Sequence, residues 1–96
     1  MAVKKEPQVC IVTVTGKDRV GIIAKLAATM AKANINILDL NQKVMESNFV
    51  MTMAVDVAKA TVDMEALKKR LDKVGREMNL IITIQDQNIF KAMHRV

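Results

Sequence analysis

The apolar positions of this chain fall into six main stretches that switch between the spacing of a strand and that of a helix. Residues 8–15 are rich in β-branched side chains and apolar at both parities, as in a strand in the middle of a sheet. The run Gly16-Lys17-Asp18-Arg19-Val20-Gly21 interrupts that pattern with two glycines. Ile23, Leu26, Ala27 and Met30 then recur at helical spacing, predicting a helix over about 20–33 with Asn34 as its left-handed terminator.

Residues 35–46 predict a second strand whose apolar phase slips. Ile35 and Ile37 share one parity, while Leu38, Leu40 and Val44 share the other, and a bulge near Ile37 reconciles them. Ser47-Asn48 is a turn signal that returns the chain as a hairpin. Phe49, Met51, Met53, Val55 and Val57 alternate with less apolar neighbours, a third strand with one face in the core. Met64, Leu67, Leu71, Val74 and Met78 step by three and four residues, a second helix opened by Asp63 and made basic from Lys68 onward, as its dipole favours. Residues 80–84 predict the last strand, and 89–93 a half-turn or short helix.

This order predicts an α+β fold of the ferredoxin-like βαββαβ type, a four-stranded antiparallel sheet with two helices on one face. A chain of 96 residues makes one domain over 1–96, with an N-terminal arm at 1–7 and a C-terminal tail or short helix at 86–96. Val9, Ile11 and Ile81 fall on the sheet face away from the helices, an apolar surface that a second copy would cover. A homodimer is therefore expected.

Charge and composition narrow the function. The net charge of +5 raises nucleic acid as a partner, but the cations are spread along the chain. The densest run, Lys68-Lys69-Arg70, reads as the solvated face of an amphipathic helix, so no nucleic-acid partner is expected. No apolar stretch approaches the roughly 20 residues of a membrane-spanning helix. The first residues lack the apolar core of a secretory signal. With a single cysteine, Cys10, excluding an internal disulfide, the expected setting is cytoplasmic, with no membrane partner.

Few residues offer chemistry. Metal transfer would need two thiolates beside the first loop, and Cys10 sits mid-strand as a small hydrophobe, so neither metal nor cofactor is expected. RNA reading on such a sheet relies on stacking aromatics, and the chain has two phenylalanines, no tryptophan and no tyrosine. Arg19 in a glycine-flanked loop faintly suggests a phosphate-cradling acyl-phosphatase, without that family's glycine-glutamine-glycine-valine character. His94, the one histidine, lies near the end of the chain as a solvated or capping residue, so catalysis lacks a base. The first loop remains. Its glycines allow close backbone approach, and the helix start after it offers free N–H groups to an anion. The competing reading is a plain turn in which Gly21 only permits close packing.

In Val14-Thr15-Gly16, Lys17-Asp18-Arg19-Val20-Gly21-Ile22, the alanine-rich helix and Ala33-Asn34-Ile35-Asn36-Ile37, the chain resembles the ACT domain family from about residue 8 to 84. The likeness is to small stand-alone members, whose tails resemble residues 87–95. It implies a non-catalytic regulatory module that binds a small effector, an amino acid first among the candidates, where two domains pair. By position it marks Asp18, Arg19, Val20, Gly21 and Ile22 in the loop, and Asn36 entering the second strand, as ligand-binding residues. It further implies a regulated protein acted on in trans. A structural pairing module without a ligand is the alternative, and convergence of Lys17, Asp18, Arg19 and Asn36 on one pocket would separate the two.

Overall fold

The computed structural model describes residues 6–94. Most of the N-terminal arm expected at 1–7, and the last two residues of the tail expected at 86–96, lie outside that range. The elements run β1 (Val9–Lys17), α1 (Ile22–Lys32), β2 (Asn36–Met45), β3 (Asn48–Asp56), α2 (Met64–Met78), β4 (Leu80–Asp86) and α3 (Gln87–Met93). The strands form one antiparallel sheet in the order β2-β3-β1-β4, so β1 and β3 are central and β2 and β4 are edges. This is the expected ferredoxin-like arrangement, with a third helix added. α3 lies against β1 and β4 and away from both other helices.

The core forms where one parity of the sheet meets the two long helices. Cys10, Val12 and Val14 of β1 lie beside Phe49, Met51, Met53 and Val55 of β3, all buried. α2 covers them with Leu67, Leu71 and Val74, as its spacing predicts. Asp63 caps that helix, its carboxylate accepting the Ala66 N–H at 2.8 Å, and Asn79 ends it in the left-handed conformation. α1 departs from expectation. It starts at Ile22 rather than near Val20, and its buried stripe is Ile22, Leu26 and Met30, followed by Ala33. Ile23, expected in the core, is exposed, because the packed face keeps Leu26 and Met30 but is centred toward Ile22, about half a residue's turn from the expected one. Asn34 takes the left-handed conformation the sequence suggested.

The phase slip in β2 is a register shift between Ile37 and Asp39, which leaves Leu38 unpaired. The hairpin after it turns one residue earlier than expected, at Glu46 and Ser47. Both have positive φ, which suits a two-residue loop between twisted strands. Burial pushes the Cys10 thiol up, and the nearby Asp86 carboxylate adds to that against Lys68, so Cys10 behaves as a small apolar side chain.

The far sheet face is less apolar than Val9, Ile11 and Ile81 alone suggested. Thr52, Thr13 and Thr83 form a row across three strands, with a hydrogen bond between the Thr13 and Thr83 hydroxyls. Val9 and Ile11 are half-buried, while Ile81 stands 70% exposed.

Candidate functional site

The two glycines of the first loop serve different ends. A Cβ on Gly16 would lie 2.7 Å from Leu80 Cδ2 and 3.0 Å from the Asn79 carbonyl oxygen, so this glycine lets β1 and the start of β4 pack closely. Gly21 has no atom within 4 Å of where a Cβ would stand. It is needed instead for its φ of 95°, which ordinary residues adopt at a cost. Close packing is therefore the role of Gly16, and Gly21 shapes the turn that starts α1.

That turn leaves an open helix end. No side chain caps α1, and its first turn holds no acidic residue. The first intrahelical bond runs from the Lys25 N–H to the Gly21 carbonyl at 2.9 Å. The N–H groups of Ile22, Ile23 and Ala24 thus have no acceptor within the helix, at its positive end. The Asp18 N–H is already engaged, donating to the Ser47 carbonyl at 2.8 Å and tying the loop to the β2–β3 hairpin. Lys17, Asp18 and Arg19 are exposed, and Val20 is 97% exposed at the loop tip. Ile22 is a core residue, so only its backbone can face a ligand.

Asn36 lies elsewhere. It pairs with Asp56, which pairs with Val9 at the start of β1, whereas the loop follows Lys17 at the other end. The ten residues of β2 separate the two places by about 30 Å at the usual strand rise. Within one chain, Asp18, Arg19, Val20, Gly21 and Ile22 share one end of the sheet, and Asn36 occupies the other. Around Asn36 is a shallow hollow of about 440 Å³ lined also by Asn34, Asp56 and Lys59. The Asn34 amide donates to the Lys59 carbonyl at 3.0 Å. Asp56 and Lys59 were not singled out from the sequence. An acid and a base in a strand-to-turn segment carry no local signal, and only strand register brings them beside Asn36.

Asp56 also has a structural role. One carboxylate oxygen accepts the Ala58 and Gln8 N–H groups, each at 3.0 Å. These bonds, Ala58 first, hold its carboxyl below the usual aspartate range, helped by the Lys59 charge. A folded-state value below the unfolded one stabilises the fold above the unfolded pKa, and the effect fades as pH falls through the folded one. Asp56→Asn is therefore expected to lower the melting temperature most near neutral pH and least in acid. Melting curves across that range check this, and a constant gap would refute it.

His94 ends α3, its Nδ1 2.8 Å from the Phe90 carbonyl and its ring stacked on Phe90 at 4.1 Å, a capping placement.

Comparisons with known proteins place the chain. Residues 8–85 match the family model described as the ACT domain. A UPF0237 protein of Methanocaldococcus jannaschii is 44% identical over 86 residues, covering 90% of this chain and 96% of that one. A UPF0237 protein of Clostridium acetobutylicum is 43% identical over 86 residues, covering 90% and 97%. Among solved structures, an ACT domain protein from Streptococcus pneumoniae superposes with a TM-score of 0.76 at 32% identity, over 93% of this chain and all of that one. A match that begins just before β1 and ends in β4 takes in the loop, the open helix end and Asn36 together, and the chain belongs to the ACT domain family.

Proposed function

We propose that this protein is a non-catalytic regulatory module that pairs with a second copy and binds a small effector, an amino acid first among the candidates, in a site shared by the two. The carrying observation is the separation of the loop from Asn36 by the length of β2. Residues so far apart serve one small ligand only if a second chain brings them together. β2 is an edge strand, and a two-fold axis that pairs it antiparallel with its copy sets Asn36 of one chain near Met45 of the other. Met45 leads into the hairpin to which the partner's loop is bonded through Asp18 and Ser47. Leu38, Val44, Met45 and Val20 are exposed along that edge and its loop end, and association would shelter them.

In such a site the open N-terminus of α1 takes the effector's carboxylate. Asn36 and Asp56, on the neighbouring chain, accept hydrogen bonds from its ammonium group. The setting is cytoplasmic, and the output is a change in how the pair meets a regulated protein in trans.

The test is a thermal-shift screen of amino acids on the purified protein, with sedimentation equilibrium at micromolar concentration. A ligand at 100 times its dissociation constant adds about 2.7 kcal/mol. Asn36→Ala is expected to leave the free protein's melting temperature nearly unchanged and to abolish the ligand's shift. A clean monomer, or a retained shift, would sink the reading. The pairing module without a ligand is the second reading, and one observation favours it: in the single chain, Lys17, Asp18 and Arg19 do not converge with Asn36. A stable dimer that no effector shifts would establish it.

A further inference from the structure

On the helix side of the molecule α1 and α2 flank a groove of about 360 Å³ that shares no lining residue with the loop or with the hollow at Asn36. Lys25, Thr29 and Lys32 line one wall, at helical spacing along α1. Arg70, Lys73 and Glu77 line the other, over the buried Val74. Cations that look scattered along the sequence are thereby gathered around one concavity.

The groove has an excess of positive charge. Glu77 is its one acid and serves two lysines, Lys25 at 3.5 Å and Lys73 at 3.9 Å. Among the described residues, Lys32 and Arg70 have no ion-pair partner. Four cations against one carboxylate leave a net charge of +3. Both ion pairs are exposed and hold their lysines weakly, so an incoming anion can recruit them. On its β4 side α2 carries Asp72 with Lys68 and Arg76, a smaller positive excess than the groove holds.

We propose that this groove is a second ligand site, for a freely diffusing small molecule bearing a diphosphate. The charge excess calls for a multiply charged anion, which one amino-acid carboxylate does not supply. Arg70 offers the planar fork that fits phosphate oxygens, and lysines on both walls act as point charges. The seven-residue span from Lys25 to Lys32 is about 10 Å of helix, room for two linked phosphates. The volume lies in the range of small-molecule sites. The site is independent of the loop and Asn36, and it stands or falls separately from the shared effector site.

The test is a titration of inorganic pyrophosphate into the purified full chain at low ionic strength, followed by backbone amide shifts. Saturable binding is expected, with shifts centred on Lys25, Thr29, Lys32, Arg70 and Val74. The pair Lys32→Gln and Arg70→Gln, both at exposed positions, is expected to keep the parent's melting temperature and weaken binding about tenfold or more, about 1.4 kcal/mol for each tenfold. Lys68→Gln with Lys91→Gln removes the same charge from the β4 side of α2 and from α3, and is expected to leave affinity within about twofold at moderate salt. Absence of saturation, shifts centred on Gly16–Gly21 residues, or equal weakening by both pairs would overturn the proposal. Binding of a DNA duplex or of anionic phosphatidylglycerol vesicles without saturation by pyrophosphate would overturn it too, by marking a diffuse electrostatic surface.

Discussion

Gly16→Val is expected to lower the melting temperature by about 15 °C, a loss of about 3 kcal/mol for a domain of this size. Its Cβ would press on the Leu80 side chain and on the Asn79 carbonyl. The Leu80 side chain can turn aside, but Asn79 is the left-handed residue that ends α2, and Leu80 is Gly16's partner in the β1–β4 ladder. Moving that backbone disturbs the helix end and the strand pairing at once. Gly21→Ala provides the contrast. It meets open space and has to accommodate only its positive φ, so about 1 kcal/mol is expected. Thermal melts of the two variants rank these effects. If Gly16→Val melted within a few degrees of the parent, the assignment of close packing to this glycine would be wrong.

The second large effect is complementation between two defective chains, once the screen has identified an effector. Gly21→Val distorts the loop at the start of α1, and Asn36→Ala removes the amide at the far end of β2. Each variant alone is expected to lose the effector's thermal shift, because every shared site then lacks one half. Mixed and allowed to exchange, the two variants form heterodimers in which one site draws its loop and its asparagine from unmutated segments. Random pairing restores about a quarter of the sites, and titration of the mixture measures them. A site contained in one chain would restore none. That outcome would remove the shared site while leaving the dimer intact.

The legibility of the fold varied with the locality of its signals. The alternation of Phe49, Met51, Met53 and Val55 and the three-and-four spacing from Met64 to Met78 recur in the structure because each reports one element burying one face. The slip at Ile37 was legible for the same reason, since a bulge reverses the parity of every apolar residue after it. The face of α1 was less so. Ile22 and Ile23 are alike in sequence, and the angle at which the helix meets the sheet chose between them.

For the candidate site, the loop was legible and its relation to Asn36 was not. The element order, a glycine-flanked loop leading into a helix, and a polar residue entering β2 could be read from the sequence, because all are properties of short segments. Strand register in the folded sheet sets the loop and Asn36 at opposite ends and brings Asp56 and Lys59 to Asn36. Helix packing likewise gathers Lys25, Lys32, Arg70 and Lys73 into one groove. Those relations depend on strand register and helix packing between residues far apart in the chain, which local periodicity does not encode.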